Sequence, residues 1–336
     1  MSSKKLKKFL SLLCLAYLLL VTQAHASVAP ATMPAPKANL ASTPSPEDKI
    51  QTLKQKLKER TLASRNIRSD SLIFDIPVTY NKKVSKWVHY FQYTGQRWFR
   101  DWLERSYKYV PFIQKELKDA GLPTDLAFIV MIESGFIPTA VSHANAVGPW
   151  QFIKPTGNRY GLQINWWLDE RRDLLKATRA AIRYIKDLHN EFGSWYLVAA
   201  SYNMGENGLR RRIQRHGTRD FWKLIELKAL PNETEDYVPK ILAAMLIAKA
   251  PNLYGFRNLE RMEPLSYDLV AVPGGTDLDN LADVLGVTRK SLKDLNAELL
   301  LGYVPRHVGS HNIRVPKGAG MLVAQHLNKP QNYAYE

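Results

Sequence analysis

The chain has one cysteine, Cys14, and it falls inside an apolar run near the N-terminus. Once that run is lost, disulfides, thiolate nucleophiles and cysteine-held metals are all excluded. Histidine clusters are also missing. His307 and His311 stand four apart, but no acidic motif or third ligand accompanies them, so they read as surface residues and no metal is expected. Long hydrophobic stretches are scarce. The longest, Phe9 to Val21, is too short for a membrane span. Acidic residues are in deficit: 31 Asp and Glu against 47 Lys and Arg give a net charge of +16. Such a charge favours an anionic partner, whether nucleic acid, anionic lipid or an acidic polymer.

The N-terminus reads as a secretory leader. Lys4, Lys5, Lys7 and Lys8 precede the apolar run, and Ala24-His25-Ala26 offers a small-residue cleavage site. Cleavage after Ala26 is expected to release a periplasmic or envelope-associated product. Removing the four leader lysines takes the charge from +16 to +12. Lipidation at Cys14 is disfavoured because Leu13 precedes it where a small residue is expected. Export argues against nucleic acid as the partner. Arg210-Arg211-Arg212 with Arg215 is either an electrostatic patch or a solvated helix face.

Residues 27–48 hold Pro30, Pro34, Pro36, Pro44 and Pro46 among Ala, Ser and Thr, the composition of a disordered tether. An amphipathic helix is expected around Ile50, Leu53 and Leu57, and Leu72-Ile73-Phe74 reads as extended. From about Val84 to Ala250 apolar residues recur at helical spacing, so the fold class is mainly α. After Pro251 the pattern changes. Tyr267 to Val272 alternates as a strand, Leu278 to Leu285 and Leu292 to Leu295 read as short helices, and Ile313 to Val315 returns as a strand.

Leu126-Ala127-Phe128-Ile129-Val130-Met131-Ile132 is apolar on every face, the pattern of a buried helix. It ends on Glu133, and Gly135 supplies the left-handed stop. Burial and the negative helix end both disfavour the charged carboxylate, so the Glu133 pKa is expected to be raised. A carboxylic acid held protonated near neutral pH can serve as a general acid. The alternative is a structural Glu closing a core helix.

Four motifs occur in order: Glu133-Ser134-Gly135-Phe136 with Ser142, Ala146 to Phe152 containing Gly148-Pro149-Trp150-Gln151, Ser201-Tyr202-Asn203-Met204-Gly205, and Glu233-Thr234-Glu235-Asp236-Tyr237-Val238. Together they resemble the lysozyme-like domain of soluble lytic murein transglycosylases. Asn165-Trp166-Trp167, Arg171-Arg172-Asp173 and Thr178-Arg179-Ala180-Ala181 resemble the membrane-bound lytic transglycosylase D type in particular. Gly274-Gly275-Thr276-Asp277-Leu278 and Gly286-Val287-Thr288 are similar to a LysM module. The stretch from Asn296 to Asn312 is longer than usual, which leaves open glycan binding or packing against the helical domain.

The resemblance implies a goose-type, lysozyme-like helical domain with extra N-terminal helices and a small α+β C-terminal module. Its expected boundaries are an N-terminal helical region over 49–109, a catalytic domain over 110–255 and a LysM-like module over 263–318. It also implies a monomer that needs no cofactor, acts on peptidoglycan glycan strands and associates loosely with wall or membrane. Glu133 would be the one catalytic acid and base, cleaving between N-acetylmuramic acid and N-acetylglucosamine to leave a 1,6-anhydromuramic product without water. Retaining and inverting glycosidases pair two carboxylates, and no second one stands out in these motifs.

Ser142, Gln151, Tyr202, Asn203, Glu233 and Tyr237 would bind substrate. Ser142 has the alternative of a turn serine, Tyr202 and Asn203 of a structural polar network, and Glu233 of a helix-start residue. Pro149-Trp150 replaces the family's commoner Leu-Met, which predicts a different subsite shape there. Two other outcomes fit the same motifs: a catalytically idle wall-binding protein and a hydrolytic goose-type lysozyme.

Overall fold

The computed structural model describes Gln51 and residues 74–327. The leader, the tether, the helix expected around Ile50 to Leu57 and the pair Leu72-Ile73 lie outside the described residues. Asn81 starts the first helix, α1 (Lys82–Gln92), its side-chain oxygen accepting the amides of Lys83 and Val84 at 3.0 and 3.1 Å. Val84, Val88 and Phe91 form the buried stripe that the helical spacing predicts. The next helix, α2 (Gln96–Asp119), runs through Pro111 and buries Phe99, Leu103, Ile113 and Leu117. Phe91 and Phe99 stack at 4.3 Å, joining α1 to α2. Truncating such a buried ring costs about 3–5 kcal/mol.

A 3-10 turn at Thr124–Leu126 leads into α3 (Ala127–Ser134). A short α4 (Lys154–Arg159) follows a long loop. Asp173 then caps α5 (Leu174–Phe192) by accepting the Lys176 amide at 2.9 Å. The chain continues through α6 (Trp195–Met204), α7 (Glu206–His216) and α8 (Phe221–Glu226) to α9 (Asn232–Lys249). Residues 241–247 of α9 are all buried, and the helix packs on α1, α3 and α6. Its apolarity on nearly every side reflects this central place. Lys240 and Lys249 belong to a core helix, and no helix among the described residues is long and apolar enough to cross a membrane.

Beyond the 3-10 turn Pro251–Tyr254 the chain builds a two-stranded antiparallel sheet. Strand β1 (Tyr267–Pro273) pairs with β2 (Ser310–Pro316), with Val270 opposite Ile313. Between them lie α10 (Leu278–Leu285) and α11 (Arg289–Leu295), capped by Asp277 and Thr288. A last helix, α12 (Gly320–Leu327), covers β1 and α10. Val272, Leu281, Leu292, Ile313 and Val315 form this region's core, and Trp167 and Leu168 of the helical part enter it.

That shared core is reinforced by backbone pairing. The Asp169 amide donates to the Glu298 carbonyl and the Leu300 amide to the Trp167 carbonyl, both at 2.9 Å. Beneath them the buried Arg314 donates from Nη1 to Glu298 Oε1 at 2.7 Å and from Nη2 to Asp173 Oδ2. Residues 298–300 thus pack against the helical part. His311 also belongs to this junction. It is half-buried against the edge of Trp167, a correction to its reading as a surface residue, whereas His307 is exposed and stacks on Trp166.

Candidate functional site

The site begins with the way α3 stops. Gly135 adopts φ +56° and donates its amide to the Met131 carbonyl. A Cβ there would also lie 2.2 Å from the indole nitrogen of Trp102, so both conformation and space demand glycine. Arg105 Nε binds the Gly135 carbonyl at 2.7 Å from α2. Glu133 is thereby held in the last turn of α3, where Tyr237 of α9 donates its hydroxyl hydrogen to Glu133 Oε1. The other oxygen, Oε2, has no partner among the described residues.

Burial pushes the Glu133 carboxyl up to about 7. The Tyr237 hydrogen bond opposes that push, the Glu233 charge adds to it, and the Lys240 charge opposes it. The side chain still borders open space, because Glu133 lines a cleft of about 1400 Å³ including its mouth. Tyr202 and Tyr237 are held protonated by burial, their pKa values well above 10. They therefore act as neutral hydrogen-bond donors.

Ser142, Gln151, Tyr202, Asn203, Glu233 and Tyr237 all line this cleft with Glu133. Ser142 Oγ accepts the amides of Ala144 and Ala146 at 3.3 and 3.1 Å, which makes it a turn-former whose hydroxyl hydrogen stays available to donate. Gln151 takes φ +50° and spends its amide hydrogens on the Gly148 and Ala140 carbonyls. Tyr202 donates to the Trp150 carbonyl at 2.7 Å, and Asn203 Oδ1 accepts from Thr234 Oγ1 at 2.7 Å. Glu233 is exposed in the first turn of α9. Both readings of Ser142, Tyr202 and Asn203 thus meet in the same atoms: each builds the wall that it lines.

The loop bearing Gln151 is pinned from behind. Arg171 is buried, grips Asp169 through Nε and Nη2 at 2.9 and 2.8 Å, and donates Nη1 to the carbonyls of Asn145 and Phe152. Gly148 has φ +85°, and a Cβ there would meet the Arg171 carbonyl at 1.8 Å. Trp150 corrects an expectation. Its indole is fully buried and bound to Thr178 Oγ1 at 2.9 Å, so it supports the loop from behind and does not line the cleft.

Two of the charged residues lining the cleft escaped the sequence reading of the site. Glu206 lines the cleft beside Tyr184, just outside the third motif. It pairs with Arg159 at 2.8 Å and accepts the Tyr184 hydroxyl at 3.2 Å. Burial pushes its carboxyl up, but its own backbone amide, Arg159 and Tyr184 hold it below the usual range. Its place directly after Gly205 of the third motif was the available signal. Lys240 is the other, one turn beyond Tyr237. The arginine cluster contributes no cleft residue: Arg210 pairs with Glu191 at 2.7 Å, and Arg212 donates to the Ala229 carbonyl at 2.8 Å. Among the described residues, no group of three or more His, Cys, Asp or Glu side chains is placed to hold a metal ion.

Residues 110–225 match the transglycosylase SLT domain family, and residues 266–332 match the LysM-like domain of lytic transglycosylase MltD. The membrane-bound lytic murein transglycosylase D of Escherichia coli K12 is 35% identical over 218 residues, covering 63% of this chain and 47% of that protein. The chain thus spans about half the length of that relative. A putative tributyltin chloride resistance protein of Alteromonas is 30% identical over 151 residues, covering 45% of this chain and 73% of its own length. Among solved structures, an inactive mutant of the lytic transglycosylase Slt of Pseudomonas aeruginosa is similar at 23% identity and a TM-score of 0.35. That match covers 42% of this chain and 24% of the other.

Proposed function

The chain belongs to the transglycosylase SLT family, and on that premise we propose that it is a peptidoglycan lytic transglycosylase. Its bond would be the β-1,4 linkage between N-acetylmuramic acid and N-acetylglucosamine. Glu133 gives its proton to the bridging oxygen as the bond from the muramyl C1 to that oxygen breaks. The resulting carboxylate takes the proton of the muramyl 6-hydroxyl, whose oxygen forms the new bond to C1. The 1,6-anhydro product carries the ring closure, the leaving sugar carries the proton, Glu133 returns to its acid form, and no water is consumed.

One observation carries this reading: a partly buried carboxyl, raised to about 7, that opens on a cleft and touches a neutral phenol. A group titrating there changes protonation state at little cost in either direction. Mass spectrometry of sacculi digested by the purified protein tests it. The reading expects muropeptides lighter by one water than their reducing counterparts, and reducing ends alone overturn it. Hydrolysis is the second reading, and Glu206 is what favours it, as a carboxylate held below the usual range in the same cleft as Glu133. Under hydrolysis Glu206→Gln abolishes turnover; under the anhydro route it leaves the product unchanged.

The wider assignments belong to the same proposal. Residues 110–255 form the catalytic domain with 49–109 as an N-terminal helical region, and 263–318 form the LysM-like module. The leader is cleaved after Ala26, and the product works in the cell envelope on glycan strands. N-terminal sequencing of the exported protein checks the cleavage site, and survival of Met1 contradicts it.

A further inference from the structure

Among the described residues, Lys240 forms no salt bridge. On the same helix, Glu235 and Asp236 pair with Lys83 and Lys86 of α1 at 2.9 to 3.8 Å, as surface charges commonly do. Lys240 makes no ion pair or hydrogen bond among the described residues. It is partly buried, lines the cleft, and rests its ammonium 4.5 Å from the centre of the Trp87 ring. A ring face holds a cation in place and leaves its hydrogens unspent. Along α9, Glu233, Tyr237 and Lys240 follow at spacings of four and three, so they share one face and look into the same space.

That placement works against the acid. A positive charge near Glu133 stabilises the carboxylate and weakens its hold on the proton. Partial desolvation of an unpaired ammonium is a further cost. Both costs are relieved when an anion enters the cleft and pairs with Lys240. The substrate class proposed above carries one kind of anion. Its muramyl sugar bears a lactyl ether whose carboxyl is free in stem-stripped strands. Where a peptide is attached, that carboxyl is an amide, and carboxylates occur only further along the stem.

We propose that Lys240 is a specificity-determining residue: its ammonium, steadied on Trp87, binds a carboxylate carried by the muramyl residue and selects this acidic sugar over neutral N-acetylglucosamine polymers. The inference rests on the transglycosylase reading. Steady-state rates of wild type, Lys240→Gln and Lys240→Arg are compared on stem-stripped and on stem-bearing glycan strands. Lys240→Gln is expected to raise KM about tenfold or more, with kcat changed far less, because one charged hydrogen bond is lost. Lys240→Arg recovers most of the affinity, and the wild-type advantage shrinks as salt is raised.

An effect confined to stripped strands identifies the lactyl carboxylate. An effect confined to stem-bearing strands identifies a carboxylate of the peptide. Binding of a neutral N-acetylglucosamine hexamer, followed by calorimetry, is expected to be the same for wild type and Lys240→Gln. The inference is overturned if KM is unchanged on both strands, or if the neutral hexamer loses as much affinity as the acidic strands. Should wild type cleave neither strand, the functional reading fails first, and calorimetry with stripped strands still decides the role of Lys240.

Discussion

Glu133 and Glu298 are both carboxylates sunk in protein, and burial pushes both upward. Their partners differ. Glu133 meets the neutral phenol of Tyr237 and borders an open cleft. Glu298 meets the guanidinium of Arg314, which also holds Asp173, and is buried where the helical part and the α+β region join. At Glu133 the opposing contact is a neutral phenol, whereas at Glu298 it is the Arg314 charge, and burial outweighs both, so each carboxyl sits near 7. A raised carboxyl alone therefore does not distinguish the two places; the charge of the partner and the open cleft do.

The strongest way to break this comparison is Glu133→Gln, which keeps shape and hydrogen-bonding reach but cannot deliver a proton. Turnover of sacculi is expected to fall about 10²–10⁴-fold. The melting curve decides what else Glu133 does. Because its pKa is raised on folding, its favourable contribution is complete below about 4.5, the ordinary glutamate range, and is lost as pH rises through about 7. Glu133→Gln is therefore expected to melt no lower than wild type at pH 8. A collapse of the fold would return Glu133 to the role of a helix-closing residue.

Arg314→Ala attacks the other carboxylate. It leaves Glu298 and Asp173 buried without their cation, a loss on the order of 3–5 kcal/mol, read from the urea midpoint. A midpoint shift within error would show that the junction is wet and the triad incidental.

Tyr237→Phe sharpens the contrast at the cleft. It removes the hydrogen bond that opposes the upward push on Glu133, so the alkaline fall of kcat/KM, expected near pH 7 in wild type, moves to higher pH. Movement to lower pH would reverse the assigned roles. The smallest effect is expected of Tyr202→Phe. It removes one hydrogen bond to the Trp150 carbonyl, worth about 1 kcal/mol, and spares the proton donor. A loss equal to that of Glu133→Gln would make Tyr202 a partner in the chemistry.

What could be read in the chain is what depends on near neighbours. The all-round apolarity of Leu126 to Ile132 and the stop at Gly135 each involve residues within a few positions, and the structure has them where expected. Residues of all four motifs line one cleft. Trp150, Glu206 and Lys240 were misread or missed because their roles depend on distant partners: Thr178 behind the loop, Arg159 and Tyr184 across the cleft, and Trp87 on another helix. A tryptophan inside a motif looks the same in sequence whether it faces substrate or core.

By itself, then, the sequence determined the helical character, the change of pattern after Pro251, and the placing of one acid at the end of a buried helix. Periodicity, capping and left-handed glycine are local properties, and a linear string records them. Only the tertiary structure decided that Tyr237, 104 positions away, shares a hydrogen with Glu133, and that Arg314, 141 positions away, locks Asp173. It also decided that residues 298–300 serve the junction. Charge state and exposure are set by whatever surrounds a group in space, and those surroundings come into being only when the chain closes on itself.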